Sequence, residues 1–384
     1  MRITEFPLGD LTLGTITGFG YSVPRIVVIV FVALVLGIAL AVLFWLTVGW
    51  STYRSVQRTR RDRVRDDLQS ELLDHLFEPD VDWEPWVTGL SGTEREVVES
   101  LLDEYLRELD GSDADKLRGL GRELGIPERS TRQLQSRGEY TRLSALTWLT
   151  LLREPDPLAE VNFEPQTPRE RASVARLRYE SDDLDSPAEG VDILLGEATT
   201  QFTIFGQDTL FQIATEDPVA LFSMAADQYQ QWSISLLVQV LVVCQHVGST
   251  VTSEDVSWVI AMLEHDNEPV RAAAAQALGQ LGWRTDLRDD LLGERLVMDP
   301  SPRVRGAIYE MLAAWGDSRA LDLLTRTLET ELDDRARLTG TNALVEHSDR
   351  LPETASAELG ATWAWSSEHA EYDDRARKPR RVSE

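Results

Sequence analysis

The chain has 384 residues, 65 of them Asp or Glu and 38 Lys or Arg, for a formal net charge of −27. A surface of that sign repels a duplex, so the composition argues against a nucleic-acid partner. A single cysteine excludes a disulfide framework and any multi-cysteine metal or iron–sulfur site, while 42% hydrophobic residues can build a packed core.

The basic residues are unevenly chosen. Lysine occurs only as Lys116 and Lys378, and every other basic residue is arginine. Acid pairs recur, among them Asp66-Asp67, Asp182-Asp183, Asp289-Asp290, Asp333-Asp334 and Asp373-Asp374. Excess carboxylate with almost no lysine resembles the proteins of salt-loving archaea, although a genome that favours arginine codons gives a similar bias. In molar salt the Debye length is about 3 Å and self-repulsion is screened. Acid clusters are therefore read first as solvated surface, not as acid–base pairs.

Residues 1–23 read as a short external segment. Residues 24–50 follow as a transmembrane helix, with Arg25 as their only charge. The run exceeds the roughly 20 apolar residues a bilayer needs. Trp45, Trp50 and Tyr53 fall where an interfacial belt would lie. Arg54, Arg58, Arg60, Arg61, Arg63 and Arg65 follow at once, against Arg2 and Arg25 before the span. By the positive-inside rule the N-terminus is outside and the C-terminal bulk cytoplasmic, with the chain held in the cell membrane by one pass. A cleaved signal peptide fits poorly, because the apolar core is too long and the positive flank is on the wrong side.

Helices continue from there. Residues 54–77 carry a stripe of Val56, Val64, Leu68, Leu72 and Leu76 and read as a juxtamembrane helix. Residues 92–190 read as a divergent helical region. Its first helix is capped by Thr93 with Glu96 three residues on and ends at Gly111. Asp113 caps the next, and residues 141–153 and 169–179 give two more. Residues 181–188 are acidic and read as flexible. Residues 191–195 or 202–205 are either a short strand or an irregular connector. The apolar run at 234–247 is only 14 residues long and carries Gln239 and Gln245, so it reads as a buried helix, not a second span.

Repeats become visible toward the C-terminus. Aligning the segment from Asp266 with that from Asp299 puts Val270-Arg271 on Val304-Arg305, Leu278 on Leu312 and Gly282 on Gly316, mostly 34 residues apart. A looser copy follows at Ala336-Arg337 and Leu344, and an earlier degenerate one includes residues 234–247. First helices are expected at 254–264, 287–298 and 318–331, and a closing helix at 351–365. These units resemble HEAT repeats of the short type also seen in phycobilin-lyase-like proteins. Val270, Arg271, Ala274, Ala277, Leu278, Leu281 and Gly282 carry the resemblance best. It implies an α-solenoid over residues 208–365, in which each helix pair buries its apolar face only by stacking on its neighbours. Arg271 and Arg305 are expected to tie adjacent repeats together. Residues 366–384 lose the stripe and read as a disordered tail. The expected fold class is thus all-α: one transmembrane helix, a cytoplasmic helical region and a HEAT-like α-solenoid.

No motif for nucleotide, phosphate or zinc-protease chemistry is present. Cys244 and His246 share an apolar helix and read as a core thiol and a helix-end histidine. Glu264-His265 and Glu346-His347 invite comparison with a HEAT-repeat di-iron hydroxylase, but that family needs several converging pairs. No catalytic, cofactor or metal residue is assigned, and no cofactor is expected. Trp258, Trp283, Trp315, Trp363 and Trp365 read as core and repeat-interface packing. The layout resembles single-span prokaryotic HEAT proteins, some of which accompany membrane glycosyltransferases that build surface polysaccharide. That resemblance implies a non-enzymatic scaffold holding a protein partner on the solenoid surface, with the bilayer contacted through residues 24–50. The alternative it leaves open is an enzyme of lyase-like or hydroxylase-like type.

Overall fold

The computed structural model describes residues 15–18, 21–79, 81–247, 256–281, 291, 293, 296–351 and 354–377. It divides into two compact units, Met1–Leu117 and Arg118–Glu384.

The first unit opens with a small departure from the all-α expectation. Strands β1 (Thr15–Gly18) and β2 (Tyr21–Pro24) pair antiparallel, with Thr15 opposite Pro24 and Gly18 opposite Tyr21. Helix α1 (Arg25–Leu76) then runs without interruption for 52 residues, about 78 Å at 1.5 Å per residue. The residues of the expected span and those of the juxtamembrane helix that continues it are one element. Val30, Phe31 and residues 33–45 stand exposed along it. Among the described residues no helix is long and apolar enough to cross a membrane. The side chains of 24–29, 32 and 46–50, which complete the expected span, lie outside that description.

The C-terminal third of α1 packs in the ordinary way. Leu68, Leu72 and Leu76 recur at four-residue intervals, so they share one face, and all three are buried. Helices α2 (Glu84–Gly89) and α3 (Gly92–Glu108) follow, and α3 packs on α1. Gln69 Nε2 donates to Tyr105 Oη at 2.7 Å, and Arg65 pairs with Glu104. The cap of α3 is Ser91, two residues before the Thr93 that sequence favoured. Ser91 Oγ accepts from Glu94 N, and the Glu94 carboxylate accepts from Ser91 N. Both Ser91 and Thr93 head an S/T-x-x-E pattern; the earlier one wins and adds two residues to the helix. Lys116, at the fifth position of α4 (Ser112–Glu123), donates to the carbonyls of Leu76 and Glu78, each at 2.7 Å. An ammonium at that place satisfies orphan carbonyls where α1 ends.

The second unit is a stack of helix pairs. The first helices are α5 (Ile126–Leu134), α7 (Asp156–Glu160), α9 (Pro187–Leu195), α11 (Pro218–Gln228) and α13 (Ser257–Ala261), the last continued by a 3-10 turn, Met262–Glu264. The second helices are α6 (Glu139–Leu152), α8 (Pro168–Glu180), α10 (Ile204–Glu216), α12 (Ile234–Val247) and α14 (Glu268–Gln280). Then come a 3-10 turn, Leu296–Met298, and α15 (Pro302–Trp315), α16 (Ser318–Thr330), α17 (Asp334–Val345) and α18 (Thr354–Arg377). Each second helix packs on the next: α6 on α8, α8 on α10, α10 on α12, α12 on α14, α14 on α15, α15 on α17, and α17 on α18. The stack therefore begins at α5 and α6, well before residue 208.

Two expectations change here. Residues 191–195 and 202–205 form no strand. Residues 191–195 belong to α9, where Val191, Leu194 and Leu195 are fully buried, whereas Phe202 and Thr203 form the irregular connector before α10, which Thr203 caps by accepting from Gly206 N. Residues 366–377 continue α18 instead of losing order, and Ser366 is buried. The expected first helix at 287–298 falls mostly outside the described residues. By contrast, the 14-residue run at 234–247 is α12, with Leu236, Leu237, Val240, Leu241 and Cys244 in the core. Each such leucine contributes about 1.5–3 kcal/mol by leaving water. One apolar core runs on from Ala172 to Leu359.

Candidate protein-binding groove

The second helices carry two features: a ladder of arginines at their N-terminal ends and an open groove along their exposed faces. Arginine occupies the fourth residue of α6, α8, α14, α15 and α17, as Arg142, Arg171, Arg271, Arg305 and Arg337. Arg271 forks onto Asp299 at 2.6 and 3.0 Å while donating to His265 O at 2.9 Å, six residues back. Arg305 repeats this, forking onto Glu331 at 2.7 and 2.8 Å and donating to Asp299 O at 2.9 Å. Arg142 makes a variant of this, with two nitrogens on one oxygen of Glu170 at 2.7 and 2.8 Å and a third donating to Ser136 O at 2.9 Å, in a diverged unit that sequence periodicity barely registers. Arg171 lies 4.0 Å from Glu197, a weaker version. The guanidinium groups of Arg142, Arg271 and Arg305 thus each pin their own inter-helix loop and the next unit at once. A planar fork fits a carboxylate in this way and a point-charge ammonium does not.

These pairs set the local electrostatics. The Arg305 fork, helped by Tyr309 Oη donating to the same carboxylate, holds the Glu331 acid down to about 2. The Glu331 side chain is only 3% exposed. Burial, with Glu331 beside it, pushes the Tyr309 phenol upward. Arg171 and Arg337 depart from the series: the Nε of each is buried with no hydrogen-bond partner. A pocket of about 510 Å³ opens beside the Arg305 rung, between Met298 and Leu332, 74% and 95% exposed.

The groove is larger, about 1020 Å³. Its walls are α12, α14, α15 and α17. The floor is small and apolar: Val238 and Val242, Ala272 and Ala273, Gly306 and Ala307, and Ala336. The 34-residue repeat explains it, because Ala272-Ala273 and Gly306-Ala307 occupy the same place in successive units. Short side chains there let neighbouring helices close up and leave the space above them empty. A second pocket of about 440 Å³ shares Glu310 and Thr339 with the groove and continues past Ala313, Ala314, Asn342 and Ala343 to Glu346 and His347. Glu310 stands at the point common to both. Its carboxyl sits above its ordinary value because packing around it removes water, an effect only partly offset by a hydrogen bond with Gln276.

Of the residues singled out in the sequence, Cys244 is buried in α12, where desolvation pushes its thiol upward, and His246 meets Phe211 edge-on at 5.8 Å between ring centres. His265 Nδ1 accepts from Asn267 N at 3.0 Å, and His347 lies against Gly316. Glu264-His265 and Glu346-His347 are not brought together into a metal-binding group; among the described residues no three His, Cys, Asp or Glu side chains form one. Trp258 is buried against Phe222 and Tyr229, and Trp315 Nε1 donates to Leu278 O at 2.9 Å across two units. Trp363 is half-buried, Trp365 is 43% exposed and stacked on His369, and Trp283 lies outside the described residues. Sequence reading missed Glu310 and Thr339, and weighed Glu346 only as half of a metal-binding pair. One signal was available: Glu310 falls 34 residues after Gln276, a polar residue at the same place in two Ala-rich helices.

No curated protein matches this chain. Residues 256–345, which hold α13, α14, α15, α16 and α17, match the sequence profile of the HEAT repeats family. The helix pairs, the repeated arginine rung and that match agree, and this part of the chain is a HEAT-repeat solenoid.

Proposed function

We propose that the chain is a membrane-tethered, non-enzymatic scaffold whose second-helix groove holds a protein partner on the cytoplasmic side. The groove carries this reading. It is about 1020 Å³, open along its length, floored by small apolar side chains and rimmed by charge, as a surface made to receive a protein segment requires. The tether rests on residues 24–50, with one charge in the run and six arginines after it. Tethering raises the effective concentration of whatever the groove holds at the membrane. A carboxylate-rich, lysine-poor surface suits a cell of high internal salt. A membrane glycosyltransferase that builds surface polysaccharide is the partner that the layout's resemblance favours.

The test is capture from the native membrane in high salt, comparing the wild-type chain with Thr339→Arg. Thr339 borders both pockets and is only half-buried, so an arginine there fills the groove without entering the core. A membrane protein recovered with the wild type and lost with Thr339→Arg, at unchanged melting temperature, supports the reading. Equal recovery with both removes the groove as the binding surface. Deleting residues 24–50 should release the chain from floated membranes, and continued flotation would sink the anchor.

A further inference from the structure

The groove's charge points to the chemistry of what enters it. Glu268, Glu310, Asp334 and Glu346 outnumber Arg303 and Arg335 along its two continuous parts. Glu310, Asp334 and Glu346 have no ion-pair partner among the described residues, although arginine forks take up Asp299 and Glu331 at the rungs of the same units. Glu310 is the most telling. It stands open to the groove at the point where its two parts meet, with no cation paired to it among the described residues and its acid shifted upward by the packing around it. An arginine arriving from elsewhere would reverse that shift.

The chain carries such arginines at its end. Residues 375–381 read Arg-Ala-Arg-Lys-Pro-Arg-Arg, five cations in seven residues of a molecule whose net charge is −27. They begin in the last turn of α18, which packs on α17, a wall of the groove. Residues 378–384 lie outside the described structure. Lys378 precedes Pro379, a pairing that disfavours helical backbone, and seven extended residues reach roughly 24 Å. Attachment through so short a segment gives an effective concentration on the order of millimolar, so contacts too weak to hold a free peptide suffice in cis.

We infer that the cationic C-terminal segment folds back into this groove, its arginines on Glu310 and Glu346, and competes there with the partner's own basic segment. This rests on the groove being the binding surface and adds its regulation and the charge of what it accepts.

The full-length protein tests it directly. Cys244 is buried, so Val382→Cys offers one accessible thiol for a photo-crosslinker. Irradiation should join residue 382 to peptides of α15 and α17 within the same chain. Yield should fall at least fivefold in Glu310→Gln with Glu346→Gln, and equally in Arg380→Gln with Arg381→Gln, where the groove is untouched. Crosslinks elsewhere, crosslinks only between differently tagged copies, no crosslink, or a yield insensitive to both double variants would overturn the inference. None of these outcomes depends on a partner, so failure here leaves the capture experiment standing, and the reverse.

Discussion

At the scale of single residues, carboxylates that look alike in the sequence do opposite work. Glu331 is buried, forked by Arg305 and bonded by Tyr309. Its acid is held near 2 in the fold and returns to an ordinary value near 4.5 on unfolding. A depressed carboxylate contributes stability that is complete above the unfolded value and disappears as pH falls through the folded one. Glu331→Gln should therefore cost on the order of 3 kcal/mol above about pH 5, with wild type and variant converging as pH drops from about 4.5 to 2. Denaturant melts across that range check it; a constant gap down to pH 2 would assign the loss to packing instead. Glu310 has the opposite sign. Its acid is raised by desolvation, so the neutral glutamine should leave stability at neutral pH unchanged or slightly higher. This contrast was not legible in the sequence, where both are acids on a helical face in an acid-rich chain. The rung arginines were legible, because Val-Arg recurs at a fixed spacing. Their acceptors were not, since nothing local distinguishes Asp299 or Glu331 from the other acids around them.

At the scale of helices, legibility followed local signals. α12 and α14 stood out, one as an apolar run of helical length and the other as the best repeat copy. α9 and α10 did not. Their segments are short and rich in β-branched and aromatic residues, and tertiary burial of Val191, Leu194 and Leu195 decides the matter. Close approach was equally hidden. Gly340 sits mid-α17, where a glycine ordinarily weakens a helix by about 0.5–1 kcal/mol relative to alanine. A Cβ there would come within 2.6 Å of Leu328 Cδ2 and 2.9 Å of Tyr309 Cδ2. Both neighbours are buried, and Tyr309 is pinned through its hydroxyl to Glu331, so neither can give way freely. Gly340→Ala should thus destabilise by about 1–3 kcal/mol from overpacking, despite its better helix propensity. Thermal melts decide: an alanine variant as stable as wild type would mean that α16 can shift away from α17.

At the scale of the stack from α5 to α18, stability should vary along its length. Each unit contacts its neighbours, so cohesion is close to a sum of unit and interface contributions. Three interior rungs hold an acid closely, Arg142 with Glu170, Arg271 with Asp299 and Arg305 with Glu331, while Arg171 only approaches Glu197 at 4.0 Å and keeps a buried Nε without a hydrogen-bond partner. At the C-terminal end Arg337 likewise has a buried Nε without a hydrogen-bond partner, and among the described residues it makes no ion pair. Its neighbour α18 departs from helical geometry at Gly360, at φ 56° and ψ −124°. An interface lacking its bidentate pair, closed by a kinked helix, should open with less free energy than the interfaces before it. Native-state hydrogen exchange should then show amides of α17 and α18 exchanging faster than those of α14 and α15, by a factor of about 10 for each 1.4 kcal/mol of missing cohesion. Arg305→Met should shift that boundary one unit inward and bring α15 into the fast class. Uniform protection from α14 to α18 would show that the apolar core alone sets cooperativity and that the rungs only fix register. A fraying C-terminal end also fits the groove's use, since α17 is both its last wall and the element on which the cationic segment's helix packs, so an incoming partner would displace the least firmly held part of the stack.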